Sequence, residues 1–364
     1  MRWTVAALPG DGIGPEVTRV AMDLLAAAAG QAGAGLVIEL GEIGWTAVRS
    51  SGSPLPQETV ERCLAADAVF LGAVGDPAAD GAPEHQRPER GLLGLRAALG
   101  CWANLRPIRV PDALIDCSAL RPERVRGTDL LILRELGGGL YYGEPREEGP
   151  DMAVNTLRYT RAEVERIADL AFDLAAKRRG RVTSVEKANV LEVSRLWRRV
   201  TTEAHARRAA EPGVPPVELD HMLADRVTME LILNPSRFDV ILTGNLFGDL
   251  LSDEAGAVAG SLGLLGSASL GGTTDLYEPV HGSAPDIAGK GVANPVGAFT
   301  SVAMMLRYTF DVPELADRVD EAIEQVLTHG IRTGDLPSVD GRDPVGTHAF
   351  SDAIAEAFSA GGAG

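Results

Sequence analysis

Five short apolar runs, Trp3 to Leu8, Ala68 to Leu71, Leu130 to Leu133, Val182 to Val185 and Asp239 to Thr243, alternate with stretches of helical spacing. Runs of this length read as buried strands, and their alternation with helices defines an α/β chain. The opening shows the unit most clearly. Trp3 to Leu8 is followed by PGDGIGP, then by Val17, Val20, Ala21, Leu24, Leu25 and Ala28 along one helical face, with Gly30 expected to end the helix. Glycines 10, 12 and 14 resemble a dinucleotide-binding turn, but Gly-x-Gly-x-x-Gly needs glycine at 15, where Pro15 stands as a good first helical residue. A Rossmann fold is therefore not expected. A second helix carries Val164, Ile167, Ala168, Ala171, Leu174 and Ala175 and closes on Lys177, Arg178, Arg179 and Gly180, as a helix C-terminus prefers. Linkers are short, the longest being the proline-rich turn from Glu211 to Glu218, and the final SAGGAG is expected to fray.

At 364 residues and 45% hydrophobic, the chain can build one large or two ordinary cores. A net charge of −17 opposes binding to nucleic acid or an anionic membrane, so an anionic ligand must be drawn by a local arginine cluster. Cys63, Cys101 and Cys117 are widely spaced and odd in number, which favours buried thiols over disulfides or a thiolate zinc site. The sequence shows neither a signal peptide nor an apolar run of bilayer length, so a cytoplasmic protein is expected.

The most informative segment is TGNLFGDLLSD, Thr243 to Asp253. It places Asp249 and Asp253 about one helical turn apart, just past a strand end, where open α/β sheets bind ligands. Two carboxylates so close repel unless a cation joins them, and an all-oxygen pair suits Mg²⁺ or Mn²⁺ better than zinc. A solvated helix face is the commoner meaning of a single Asp-x-x-x-Asp. Arg96 in GLLGLR, Arg106 in ANLRP and Arg134 in LLILRE stand at element boundaries, a pattern that suits a di- or tricarboxylate. Tyr141 follows a triple glycine, and an extended backbone there would turn Tyr142 to the other face. Lys187 lies between a strand and a helix, where partial desolvation could bring a lysine toward general-base range, although an exposed helix start is the simpler reading. The loop HGSAPDIAGKGVANP, His281 to Pro295, centres on Asp286, a carboxylate able to accept bonds from both ribose hydroxyls and repel a 2′-phosphate. His281 and Asn294 are candidate adenine partners in that loop.

Taken in order, PGDGIGPEV, GLLGLR, ANLRP, RELGGGLYYGEPR, EKANVLEV, TGNLFGDLLSD, EPVHGSAPDIAGKG with ANP, and RTGDL resemble the β-decarboxylating dehydrogenases over nearly the whole chain. The resemblance implies a two-domain α/β fold with a mixed sheet flanked by helices, not a Rossmann fold. It implies a discontinuous cofactor domain of residues 1–101 and 260–364 around a dimerisation domain of 102–259, and a homodimer with shared active sites. Arg96, Arg106 and Arg134 would hold malate carboxylates, with Glu89, Leu92, Leu93 and Val190 around the 3-substituent. Asp249 and Asp253 would bind Mg²⁺ or Mn²⁺ with Asp225 of the partner subunit. NAD would meet Glu278, His281, Gly282, Ser283, Ala284, Asp286, Ile287 and Asn294.

By the same resemblance Lys187 takes the substrate hydroxyl proton and Tyr141 returns a proton to C3 after CO₂ leaves. The implied substrate is a small 3-substituted malate, with 3-isopropylmalate fitting two leucines better than isocitrate does. A paralogue acting on another alkylmalate and a non-catalytic regulatory subunit are the alternatives, and the latter would be expected to lose one of these groups. The chain departs from the family pattern at Glu186, Gly137 and Glu254, and in the loop DPAADGAPEHQ from Asp76 to Gln86.

Overall fold

The computed structural model describes residues 1–361 and divides the chain into two compact units, Met1–Cys101 with the chain from Ser261 onward, and Trp102–Gly260. In the first unit, β1 (Arg2–Gly10) leads into α1 (Gly14–Gln31), followed by β2 (Gly35–Leu40), α2 (Gly44–Ser51), α3 (Gln57–Ala65), β3 (Ala68–Ala73) and α4 (Pro88–Leu99). The second unit begins with β4 (Ala103–Arg109), α5 (Pro122–Val125) and β5 (Asp129–Glu135). The short pair β6 (Glu147–Glu148) and β7 (Ala153–Val154) comes next, then α6 (Arg161–Ala176), β8 (Arg181–Glu186) and α7 (Glu192–Ala209). It closes with β9 (Glu218–Leu223), α8 (Ala224–Leu233), β10 (Val240–Thr243) and α9 (Asn245–Ala259). Back in the first unit run β11 (Gly266–Leu270), β12 (Asp275–Pro279), α10 (Val296–Tyr308), α11 (Pro313–Thr328) and α12 (Thr347–Ala360).

Strands of the first unit follow the order β2-β1-β3-β12-β11, parallel except for β12 with β11. This is not the strand order of a classical dinucleotide fold, in agreement with proline at position 15. Helices α1 and α10 pack on these strands, and Leu8, Phe70, Leu71, Tyr277 and Phe299 are fully buried between the layers. The order in the second unit is β4-β5-β10-β8-β9, again parallel except for the β4–β5 pair. There α6 and α9 cover the strands, with Phe172 and Phe238 buried.

The structure extends each expected strand by two or three residues except β10, which starts at Val240 rather than Asp239. It also moves the end of α1. Gly30 remains inside the helix, Ala32 caps it, and Gly33 takes the left-handed conformation at φ 64°. In α6 the Thr160 and Glu163 side chains form a reciprocal cap at the N-terminus. Beyond its C-terminus, Arg178 is bonded to Asp129 at 2.8 Å and Asp239 at 2.9 Å, so this cation ties the helix end to β5 and the start of β10. Cys63 and Cys101 are buried and Cys117 half-buried, all free thiols. Of SAGGAG, Ser359 and Ala360 belong to α12, and the last three residues lie outside the described residues. Among the described residues no helix is long and apolar enough to cross a membrane.

Candidate active site

The second unit gathers five of the candidate residues on β4, at the end of β5, in the turn that follows it and on α9; Arg106 lies in the middle of β4 rather than at the element boundary expected. Arg106 comes from β4 and Arg134 from β5, and both are buried although charged. Helix α9 starts directly after β10, and its 3.6-residue period brings Asp249 and Asp253 to the face that meets these arginines. Gly248 makes the approach possible, because a Cβ there would lie 2.6 Å from the Arg134 Cγ. Arg134 is ion-paired with Asp249 Oδ1 through Nη1, while Arg106 lies 3.8 Å from Asp249 and 3.4 Å from Asp253. Arg106 is further fixed by Asn104 at 2.8 Å and Ser252 at 2.6 Å.

Tyr141 closes the group by donating to Asp249 Oδ2 at 2.7 Å, with the Arg134 guanidinium 5.6 Å from its ring centre. Its segment is not extended. Gly139–Tyr141 forms a tight 3₁₀ turn with Gly139 at φ 79°, and Tyr141 and Tyr142 are both half-buried. Burial, and next the hydrogen bond to the Asp249 carboxylate, pushes the Tyr141 phenol up to about 12, so it holds its proton at neutral pH. Burial also raises Asp253, reinforced by the charge of Asp249 and opposed by Arg106.

Lys187 lies just after β8 and is hydrogen-bonded to Asp225 in the first turn of α8, a bond that holds the Asp225 carboxyl below its ordinary range. Among the described residues no three carboxylate, histidine or cysteine side chains converge on a metal position, so Asp225 does not join Asp249 and Asp253 within one chain. Val190, three residues beyond Lys187, is 61% exposed. The departure at Glu186 is a buried carboxylate accepting from the Ala188 N–H and the Arg198 guanidinium. Gly137 has a physical reason as well. A Cβ there would meet Arg166 Nη2 at 2.7 Å and Glu135 Oε1 at 3.1 Å, so the Arg166–Glu135 pair occupies the space of a side chain. Burial raises Glu254 above the usual carboxylate range.

In the first unit Arg96, in the last turn of α4, is buried and donates to Glu278 Oε1 on β12 at 2.6 Å. Two residues expected to face different ligands thus form one buried ion pair. Leu92 packs partly against the core around Leu8 and Leu71, Leu93 is half-buried, and Glu89 is exposed.

The loop from His281 to Pro295 is held by PGDGIGP. Ile13 N donates to the Ser283 carbonyl at 2.8 Å, and Gly12, at φ 58°, would place a Cβ 1.9 Å from that oxygen. Ser283 is buried, Ala284 sits at φ 40°, Ile287 is half-buried, and Gly282 and Asp286 are exposed. His281 engages the Gly282 carbonyl at 2.9 Å through Nδ1, while its buried Nε2 has no protein partner. Burial lowers the imidazole below its ordinary pKa, leaving a neutral ring with a nitrogen to offer. The Asn294 amide donates to Asp335 at 3.0 Å and accepts from Val296 N at 3.0 Å, which leaves one N–H and one lone pair of the side chain unused by these two bonds.

Sequence reading missed the residues that hold these groups in place: Asn104, Glu135, Tyr159, Ser252 and above all Asn245, within the TGN of TGNLFGDLLSD.

The family model "Isocitrate/isopropylmalate dehydrogenase" matches residues 4–354, and the chain belongs to this family. Its relatives include the 3-isopropylmalate dehydrogenases of Halalkalibacterium halodurans, 52% identical over 99% of both chains, and Aquifex aeolicus, 49% identical over 98% of this chain and 97% of the other. Among solved structures, isocitrate dehydrogenase from Methylococcus capsulatus matches 98% of this chain and 99% of its own at a TM-score of 0.82 and 33% identity. A β-decarboxylating dehydrogenase from Thermococcus kodakarensis matches at 0.80 and 35%, over 98% of this chain and 96% of its own.

Proposed function

We propose that the chain oxidises and decarboxylates (2R,3S)-3-isopropylmalate to 4-methyl-2-oxopentanoate and CO₂, with NAD⁺ as the hydride acceptor, in leucine biosynthesis in the cytoplasm. The observation that carries this reading is the packing of two buried arginines, two carboxylates and a tyrosine hydroxyl within one unit, in a chain about half identical to enzymes of that name. Adding 3-isopropylmalate, NAD⁺ and a divalent cation should generate NADH, and no NADH with this substrate would remove the reading.

In the mechanism, Arg106 and Arg134 hold the substrate carboxylates as planar forks, and Arg96, steadied by Glu278, is assigned to the same task by resemblance alone. Lys187 accepts the C2 hydroxyl proton directly or through water, and NAD⁺, when bound, would supply the acceptor for the hydride that leaves C2. The resulting 2-oxo acid loses CO₂ from C3, the bond electrons remain as an enolate, and Tyr141 supplies the proton to C3. The residues fit a divalent cation: Asp249 and Asp253 offer only hard carboxylate oxygens, which suit Mg²⁺ or Mn²⁺, and Asp225 from a second copy would complete the set. Such a cation, when bound, supplies Lewis acidity at the substrate hydroxyl and at the developing enolate charge.

For NAD, the unpartnered Nε2 of His281 and the exposed carboxylate of Asp286 suit an adenosine that brings hydrogen-bond donors and free ribose hydroxyls. A 2′-phosphate would meet the Asp286 charge. Asp286→Asn should therefore narrow the NAD over NADP preference by about tenfold, mainly by weakening NAD, since hydrogen bonds to a charged group contribute about 1.5–3 kcal/mol. The ratio of kcat/KM for the two cofactors measures this, and a wild type that prefers NADP would contradict it.

The pairing of Asp225 with Lys187, away from Asp249 and Asp253, supports a homodimer in which each site borrows these residues from the other chain. Helices α8 and α9 pack together and expose Met229, Ile232, Leu233 and Leu250, an apolar face suited to a second copy. Leu250→Glu should shift sedimentation toward the monomer and remove activity with it. A monomeric variant with full activity would show that each site is built from one chain.

A further inference from the structure

On the reading that Arg134 holds substrate and Tyr141 delivers a proton, we propose that Asn245 is the positioning residue that locks these two groups into one unit. Asn245 opens α9 and is fully buried. Its Oδ1 accepts from Arg134 Nε at 3.1 Å and Nη2 at 2.8 Å, which leaves Nη1 turned toward Asp249. Its Nδ2 donates to the carbonyls of Gly138 at 3.0 Å and Leu136 at 3.3 Å, and its backbone N–H donates to the Tyr159 hydroxyl at 2.7 Å. Both lone pairs and both protons of the amide are thus in use.

The two carbonyls belong to the segment that leads into the Gly139–Tyr141 turn, so the group that orients Arg134 also sets the height of the tyrosine. The same segment is held from its N–H side by Glu135, which accepts from Gly137 and Gly138 at 2.9 Å each. There is no slack between the pieces: a Cβ on Gly139 would lie 2.4 Å from the Tyr159 oxygen and 3.2 Å from the Asn245 Cβ. Only a short amide can accept from a guanidinium on one edge and donate to two carbonyls on the other. Aspartate has the shape and keeps the acceptor, but it sets a carboxylate oxygen against two carbonyl oxygens. Serine is too short for either task.

The two halves can therefore be broken separately. With the full-length enzyme, NAD⁺, Mg²⁺ and 3-isopropylmalate, and folded sites counted by NADH binding, Asn245→Asp should lower kcat about 10- to 100-fold with KM held within about threefold, because the tyrosine segment moves while Arg134 keeps its partner. Decarboxylation of the supplied 2-oxo acid should fall more than hydride transfer. Asn245→Ser should lower kcat and also raise KM by at least about tenfold, the scale expected when a bond to a charged group is lost. Unchanged kcat and KM per folded site in either variant would overturn the proposal, as would losses in both variants that only track the folded fraction. Should Asn245→Asp not fold, the KM and kcat of Asn245→Ser decide the matter. A wild type inactive on isopropylmalate would instead refute the substrate assignment, and the same comparison would then be run on the 3-alkylmalate it does oxidise.

Discussion

Lys187→Met is expected to slow oxidation of 3-isopropylmalate by about 10²- to 10⁴-fold, the usual contribution of a positioned general base, while leaving decarboxylation of a supplied 2-oxo acid far less affected. Tyr141→Phe should show the opposite division. Burial and the Asp249 carboxylate disfavour phenolate, so the phenol is available to the proposed reaction as an acid. Removing it deprives C3 of its proton source and leaves the C2 hydroxyl untouched. Pre-steady-state NADH bursts and release of CO₂ from the oxo acid separate the two steps. Equal loss of both partial reactions in both variants would contradict the assignment.

Removal of divalent cations should have an effect of similar size. Without a cation Asp249 and Asp253 stay paired with Arg106 and Arg134, the arginines proposed to hold the substrate carboxylates. The Lewis acidity at the hydroxyl is lost as well, a contribution of several kcal/mol, so kcat/KM should fall by at least about 10³-fold after exhaustive chelation. The chelated protein should remain folded, because its arginines and aspartates already satisfy one another. Readdition of Mg²⁺ or Mn²⁺ should restore turnover and raise Tm in a concentration-dependent way. Full turnover after chelation would exclude this role for the aspartates.

Much of the architecture is legible in the sequence because β1, β3, β5, β8 and β10 are apolar runs and their helices carry apolar residues at regular spacing. The remaining strands hide for physical reasons. β4 contains two arginines and a proline, β11 buries Ser267 and Ser269 where apolar residues would be expected, and β9 is mostly half-exposed. Asp249 and Asp253 are visible because one helical turn separates them, and Arg134 because it closes an apolar run. The supports of the site are not visible. Arg96 and Glu278 stand 182 positions apart, and Asn245 becomes meaningful only when α9 is laid against β5 and the segment after it. Asn294 reads as a ligand partner in the sequence, and its bond to Asp335, 41 positions away, becomes visible only in the fold.

The substrate assignment is tested most directly by the rate of NAD⁺ reduction across 3-isopropylmalate, 3-ethylmalate, 3-methylmalate, malate, isocitrate and homoisocitrate in the presence of Mg²⁺. On the proposed reading Leu92 and Leu93 of α4 would offer apolar surface to the 3-substituent, so each methylene removed should cost about 1–3 kcal/mol in kcat/KM. The expected order is isopropylmalate, then ethylmalate, methylmalate and malate. The carboxymethyl group of isocitrate would leave a charge unpaired against two leucines and should be rejected more strongly than any small alkyl group. Isocitrate or homoisocitrate turning over faster than isopropylmalate would contradict the account and direct attention to the divergent loop from Asp76 to Gln86.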